Sequence, residues 1–575
     1  MKAHILITNN ETLPVCRDRL FWGVGIPNAP TDFQEWVNHK NSKKPFLKML
    51  VDMLNVDIGD LVFLYERQVG FHGVYKVKSP LFFDTSKVNN KEGFSVNEQW
   101  PLRILLESVY YFPKAVNEDL LFSTPRYENI FWIWAYRKSQ GARGCNTITP
   151  EAAEALIELL VKVNGRDVKY ANFNPYIPRT LQKIEFSFAT ENSKVVLEDY
   201  LRGYIISKMV RDKEFEKFLG TLDDIEWYAN NVPYHITQKN IDILVFHKNF
   251  RYTNAPLRYK YSVIELKKDT VKPNDVSQLL RYAQWTAGRL ANGEVEMIQP
   301  ILIGHDFSED AIKKSKSADF NERGIILVKY RATNDQEIKF EIIWYIPKSK
   351  IDKFIKRKYQ EQIKERQKII SDEELKKELL KVKEFRWGVV QGQLDQKIQT
   401  EYVRRFVRYD DLIGGAKSKL HDDITNYVIA TWYNHWTTVL IEDHISQHPK
   451  VIPTLKNNFG VDIFFDNQPF DLKITYLPKD FTLKEVLKNP KDLIIWLYEN
   501  QGEQRFGADN RLFVVLASKN NLEESWKLKR DFDFVFSEID NFFDQGSVSV
   551  KDEIVFSFKK KTYTTISKIL IITKY

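Results

Sequence analysis

Hydrophobic and polar positions alternate in short runs through the first third of the chain, in HILIT, DLVFLYE and GVYKVK. Each run is bounded by Asn, Gly, Pro or Asp, and this spacing predicts strands. A helix is predicted next. Thr149 is a natural N-cap, Pro150 suits the first helical position, and EAAEALIELLVKVNG carries an apolar stripe at helical spacing that stops at Gly165. A second helix is expected from about Ser193 to Met209, followed by the apolar runs IDILVF (Ile241 to Phe246) and YSVIELK (Tyr261 to Lys267) and a periodic helix from about Asp275 to Leu290. Between Lys348 and Lys383 apolar residues recur at helical spacing in a segment dense in lysine and arginine and free of Pro and Gly. It predicts a long basic helix or helix pair, either a solvated connector or an arm that tracks phosphates. From about Phe385 the earlier order returns: a long helix, about His421 to Gln447, precedes the runs VDIFF and PFDLKITYL.

A chain of 575 residues exceeds what one hydrophobic core usually organises. The shifts in pattern divide it into 1–165, a linker at 166–190 containing NFNPYIPRT, 191–347, a basic helical connector at 348–384, and 385–575. With 43% hydrophobic and 28% charged residues the chain is expected to fold rather than stay disordered. Its longest apolar stretches, such as LIIWLY and ILIIT, fall far short of the roughly 18 to 20 residues a membrane helix needs, so no membrane partner is expected. MKAHILIT runs straight into a strand-like pattern without the apolar core and cleavage site of a signal peptide, and a cytoplasmic location is expected. Only two cysteines occur, Cys16 and Cys145, with no CxxC pair, which excludes a disulfide framework or a zinc knuckle. A net charge of +8 permits a polyanionic partner without establishing one.

The chemistry concentrates in the middle region. Hydrolysis of a phosphodiester requires neutralising charge on the phosphate and producing a hydroxide, which Mg²⁺ held by carboxylates can do, with Mn²⁺ able to substitute. In VIELK, Glu265 and Lys267 lie two residues apart and so share one face of a strand. The carboxylate can bind metal while the ammonium orients the attacking water. Asp242, on the preceding strand, can supply a second metal ligand, and Glu198 borders the inward stripe of its helix formed by Leu201 and Ile205.

IDILVF, VIELKKD and VSQLLRYAQW together resemble the PD-(D/E)xK nucleases, and within them the NucS/EndoMS-type endonucleases with their Asp, Glu-x-Lys and downstream Gln-x-x-x-Tyr pattern, here Gln278 and Tyr282. The resemblance covers about residues 190 to 310. It implies a metal-dependent DNA endonuclease with Glu198, Asp242, Glu265 and Lys267 in the active site and Gln278 in support. One departure is the insert HKNFRYTNAPLRY between the acidic strands, which is longer than a tight hairpin.

A second set follows. GVDIFFDNQPFDLKITYLP places Asp462 on one strand and Asp471 and Lys473 on the next, so the same geometry recurs with aspartate in place of glutamate, and Asp462 and Asp471 are the expected metal ligands. Glu442 borders the apolar face of the preceding helix and is the helix-acid candidate, with Asp443 a weaker one. Gln501, Arg505, Asn510 and Arg511 resemble the polar tail of restriction-endonuclease-like domains. His421, His435, His444 and His448 form no HExxH motif and are expected to be solvated or capping groups.

RLFWGVG, DIGDLVFLYERQVGFHGVYKVKSPLFFD and WPLRILLES in the first region resemble the PUA-like superfamily that includes EVE and YTH domains. That resemblance implies a small barrel with a pocket for a modified or flipped base. Tyr65, Trp100, Trp132 and Trp134 are available aromatic walls, and Trp22, in a glycine-flanked turn, is the favoured one. Arg137, Lys138 and Arg143 could hold flanking phosphates. The expected architecture is therefore α/β multidomain: a PUA-like small β-barrel, then two restriction-endonuclease-like domains joined by a basic helical segment. The expected function is a Mg²⁺-dependent endonuclease of prokaryotic restriction or antiviral defence, acting on DNA that includes modified phage DNA. The alternatives are a NucS-type mismatch repair endonuclease, or a nucleic-acid-binding processing factor whose nuclease folds are degenerate. A homodimer is left open.

Overall fold

The computed structural model describes residues 2–574 apart from 25–43, 92, 97–99, 124, 141–143, 166–172, 180, 236, 238, 248–260, 292, 294, 334–335, 386–392, 418–419, 421, 456–460, 467, 501–509 and 559–560. The chain is a mixed α/β protein with two compact units, one of Met1–Lys248 with Tyr259–Ile346 and the other containing Pro347–Tyr575. Among the described residues no helix is long and apolar enough to cross a membrane.

In the first unit the strand Ala3–Thr8 is buried along its whole length because it is paired on both sides, parallel to Leu61–Glu66 and antiparallel to Cys145–Ile148. The sheet continues through Gly70–Val77 to Leu102–Tyr110. The helix Pro150–Asn164 covers it, with the Thr149 hydroxyl accepting the Ala152 N–H at 3.3 Å and Gly165 leaving the helix at φ 57°. Trp22 departs from expectation. It lies in the strand Phe21–Val24, paired with Leu102–Tyr110, and is only 1% exposed, its indole N–H donating to Ile7 O at 3.0 Å. The alternation of FWGV with a buried partner strand, rather than its glycine, decides its place. The described part of the expected linker also packs onto this sheet: Gln182–Lys183 pairs with Phe82–Phe83, and the Tyr176 hydroxyl meets Arg103 at 2.9 Å and Ser86 at 3.0 Å.

The second sheet of this unit has the order Ile225–Pro233, Asn240–His247, Tyr261–Val271, Ile298–Phe307, Ile326–Ala332, Ile338–Trp344. Its first three strands are antiparallel, the next two pairings are parallel, and the last is antiparallel. A parallel step needs a crossover, which the helix Pro273–Leu290 provides between the strands at Tyr261 and Ile298. The preceding helix is Glu198–Lys208, shorter than expected, because Asn192 and Ser193 sit at φ 52° and 59° and turn the hairpin that joins Thr190–Glu191 to Lys194–Val195. The two sheets of the unit share a buried seam. Trp227, fully buried, donates its indole N–H to Ile148 O at 2.9 Å and packs on Phe246 at 4.4 Å between ring centres.

The second unit repeats the pattern. Its sheet runs Val451–Pro453, Ile463–Phe465, Gln468–Tyr476, Arg511–Ser518, Lys561–Lys574, Glu553–Phe558, again antiparallel, antiparallel, parallel, parallel, antiparallel. The long helix Asp422–Gln447 buries Trp432, Tyr433 and Ile441 against it. The basic segment forms two helices, Lys348–Gln367 and Asp372–Leu380, and the first packs on this unit rather than standing in solvent. Ile351, Ile355 and Ile363 are buried, while Tyr359 and Arg366 bond Asp443 at 3.1 and 2.9 Å.

Trp227→Ala removes the indole at the seam and leaves the Ile148 carbonyl unpaired, so it is expected to cost about 3–5 kcal/mol. Urea unfolding of the full chain followed by circular dichroism should show the first unit melting at lower denaturant; an unmoved midpoint would contradict the seam.

Candidate active site

Strand alternation puts Glu265 and Lys267 on one face of Tyr261–Val271, with the Lys267 ammonium donating to Glu265 Oε1 at 2.6 Å. The neighbouring strand brings Asp242 alongside, and its Oδ2 accepts the N–H of Leu266, the residue between that acid and lysine, at 2.7 Å. The crossover helix adds Gln278, which donates to Glu265 Oε1 at 2.7 Å and approaches the Tyr282 hydroxyl at 3.1 Å. Glu198 opens its helix at the rim. All the expected residues of this set, Glu198, Asp242, Glu265, Lys267 and Gln278, line one cavity of about 310 Å³.

Sequence reading did not find Arg202. It lies one turn beyond Glu198, so the helical spacing that nominated Leu201 and Ile205 also carried this signal. Its buried guanidinium pairs with Asp199 and Asp242 and comes within 3.6 Å of Glu198. Burial, and then the Asp242 charge, push the Glu198 carboxyl up to about 7, with Lys267 and Arg202 opposing. The same causes raise Glu265 well above the ordinary glutamate value of 4.5.

The acids form no ready-made ion shell. Among the described residues no three acidic, histidine or cysteine side chains stand close enough to hold a metal as they are, and Arg202 reaches both Glu198 and Asp242. The set nonetheless fits a hard cation. Glu265 is 2% exposed, and its Oε2 has no hydrogen-bond partner among the described residues. A buried carboxylate oxygen without a donor is what an oxygen-loving ion satisfies. Each oxygen of Asp242 already accepts one hydrogen bond and retains a second lone pair.

The second unit builds a parallel set. Asp462 Oδ2 accepts the N–H of Leu472 at 2.7 Å, and the Lys473 ammonium donates to Asp471 Oδ1 at 2.6 Å. Arg511 Nε lies 3.5 Å from Asp471 Oδ2. Burial, then the Asp471 charge, lift Asp462 to about 7; burial, then Asp462, lift Glu442 to about 8. Asp443 stands apart, held by Tyr359 and Arg366. Asn510 bridges strands, donating to Pro469 O and accepting from Ile566 N, each at 3.1 Å. Gln501 and Arg505 lie outside the described residues. The unforeseen member is Lys529, 2% exposed, whose ammonium donates to Thr438 at 2.8 Å and to Asn434 Oδ1 at 3.2 Å. Burial lowers it to about 7 against the pull of Glu442. No local motif announced it, because it comes from a different element than the acids.

The histidines serve packing rather than solvation. His444 bonds Asp540 at 2.8 Å and stacks on Phe536, and His448 bonds Asp544 at 3.2 Å, while burial lowers His435 to about 4. His421 is outside the described residues.

In the N-terminal region a cavity of about 840 Å³ is lined by Tyr65, Trp134, Lys138, Arg67 and Asn10 among others. Glu118 organises it, accepting from Tyr65 at 2.9 Å and from the Trp134 indole at 2.8 Å, and pairing with Lys138. Of the residues expected around a base, Tyr65, Trp134 and Lys138 meet here, while Trp132 does not and packs on Trp285 at 5.2 Å between ring centres. Trp22 does not, being core. Trp100 is half-buried against the cluster around Phe21 and Phe82, because its carbonyl anchors the Arg103 side chain at 2.7 Å. Arg137 is buried and donates to Asn231 O, so it cannot hold a phosphate. Arg143 lies outside the described residues, as does the insert after its first residue, His247, which ends the strand Asn240–His247.

No family model matches the sequence, and no curated protein matches it. Among solved structures, a hypothetical protein from Leishmania major is 12% identical with a TM-score of 0.20, covering 28% of this chain and 96% of its own. Rpa0253 from Rhodopseudomonas palustris is 10% identical with a TM-score of 0.18, covering 28% and 92%. Atu2648 from Agrobacterium tumefaciens is 12% identical with a TM-score of 0.17, covering 32% and 100%. At these scores the similarity decides neither fold nor function.

Proposed function

We propose that the chain is a Mg²⁺-dependent DNA endonuclease of the PD-(D/E)xK kind with two acid sets, Glu198, Asp242, Glu265, Lys267 and Gln278 in the first unit and Glu442, Asp462, Asp471 and Lys473 in the second. One observation carries the reading: the same constellation occurs twice. In each sheet an aspartate accepts, at 2.7 Å, the N–H of the residue between an acid and a lysine, and the lysine meets that acid at 2.6 Å. Two unrelated structural ion pairs have no reason to share this backbone device.

In this reading Glu265 with Asp242, and Asp471 with Asp462, would hold the metal, which supplies charge neutralisation at the phosphate and an acidified water when bound. Lys267 and Lys473 orient the attacking water from the same strand face. Gln278 fixes the Glu265 carboxylate through Oε1, and Oε2 is the oxygen that would ligate the ion. The N-terminal cavity, with aromatic Tyr65 and Trp134 beside polar groups, supports a PUA-like reader of an extruded base, and a restriction or defence role follows from a reader joined to cutters.

Incubation of supercoiled plasmid with Mg²⁺ tests the assignment. Glu265→Ala and Asp471→Ala are each expected to slow cutting of one strand by about 100-fold or more and leave nicked circles, and the double variant is expected to be inert. Cleavage by the double variant would sink the nuclease reading, and linear product from either single variant would contradict division of labour between the sites.

A second test reads stability. Unfolded glutamates ionise near 4.5, whereas folded Glu198 holds its proton to about 7 and Glu265 is raised well above the ordinary range. Across that window the folded, metal-free protein binds more protons than the unfolded chain, so these groups make stability fall as pH rises. Between about pH 5 and about pH 8 wild type should lose more Tm than Glu265→Gln, and MgCl₂ at the higher pH should stabilise wild type more than the variant, which keeps only the second acid set. Identical pH profiles, or equal stabilisation of both proteins by MgCl₂, would count against a metal at Glu265.

A further inference from the structure

The cavity at Glu265 is lined by carboxylates and by the cations Lys48, Arg202, Lys239 and Lys267. Arg202 and Lys267 already have their charge committed to those acids. Lys48 and Lys239 do not: their ammonium groups have no hydrogen-bond or ion-pair partner among the described residues. Both are aimed at the cavity by the N-terminal region. Lys48 rides on the helix Lys44–Leu54, whose Asp52 accepts from Asn230 at 2.5 Å and from Asn231 at 3.4 Å, and whose neighbour Asn55 donates to Tyr228 O at 3.3 Å. Lys239 lies in the turn after Ile225–Pro233, where Gln140 grips the carbonyl of Thr237 and, at 3.4 Å, that of Lys239 itself. Asn231, also lining the cavity, is held at φ 50°, with its carbonyl bonded by Arg137. A left-handed asparagine fixed on two sides is a rigid support, not a loose turn.

A DNA strand approaching buried carboxylates is repelled except where cations receive its phosphates. We propose that Lys48 and Lys239 grip the phosphates flanking the scissile bond, so that the active site is composite: Lys48 comes from the N-terminal region, and Lys239 from a turn of the acid-bearing sheet that Gln140 of that region holds. The assignment rests on the nuclease reading above for which bond is cut. It requires that the helix Lys44–Leu54 touches substrate directly, in addition to any base read in the larger N-terminal cavity.

The test is fluorescence anisotropy of the full chain with a short fluorescein-labelled DNA duplex in EDTA, over a salt series. Lys48→Ala is expected to weaken binding about fivefold and lower the slope of log K against log salt by about one, and the double Lys48→Ala, Lys239→Ala variant by about two. Lys48→Arg should restore affinity, whereas Lys162→Ala, an exposed lysine on the helix Pro150–Asn164, should change nothing. Unaltered affinity and slope in the double variant would overturn the grip whether or not the DNA is cut. Failure of wild type to cleave the same duplex in Mg²⁺ would overturn the nuclease reading alone.

Discussion

Carboxylates gathered in a buried cleft repel one another unless positive charge stands among them, and much of the first unit is arranged around that demand. Glu265 lies deepest and takes Lys267 and Gln278 on one oxygen while the other stays bare. Asp242 is tied to the backbone of the next strand and to Arg202, which also neutralises Asp199. Strand alternation sets the acid beside the lysine, the antiparallel neighbour sets the aspartate beside both, and the crossover helix closes the side. The fold thus fixes a concentration of negative charge that the paired cations Arg202 and Lys267 only partly offset.

The second unit meets the same demand with different chemistry. Arg202 is a guanidinium that stays charged at any physiological pH, whereas Lys529 is a buried amine whose charge titrates near neutrality. Its partners are a hydroxyl, a side-chain amide and a backbone carbonyl rather than acids, so it reaches Glu442 only through space. The sheets share their pairing order and their aspartate-to-backbone bond, yet the internal cation differs in kind and comes from a different element. Two sites built on one plan would respond differently to proton concentration.

What the sequence made legible was local. Glu265 with Lys267, and Asp471 with Lys473, were readable because a strand's period of two puts them on one face, and Asp242 and Asp462 because each sits in the preceding apolar run. Thr149, Pro150 and Gly165 marked a helix because each end is signalled by the residues beside it in the chain. Groups that reach a site through tertiary packing left no such trace. Lys48 arrives from about 150 residues upstream of Glu198, and Lys529 from well beyond the strand that bears Asp471. Trp22 was misread because a glycine neighbour signals a turn only when no partner strand claims the backbone, and Leu102–Tyr110 claims it. Arg137 looked like a phosphate ligand in its basic run, but the carbonyl it serves belongs to a distant strand.

The seam between the two sheets of the first unit bears on how such a chain can be inherited. Indole-to-carbonyl and amide-to-carboxylate bonds cross it, from Trp227 to Ile148 and from Asn230 to Asp52, and all four groups are buried. A different N-terminal region spliced onto the acid-bearing sheet would strand these polar groups without partners, each at the desolvation cost of an unmet hydrogen bond. The two regions are therefore not exchangeable cassettes. Sequence drift on one side of the seam has to be matched on the other, and related chains should carry the pair together or not at all.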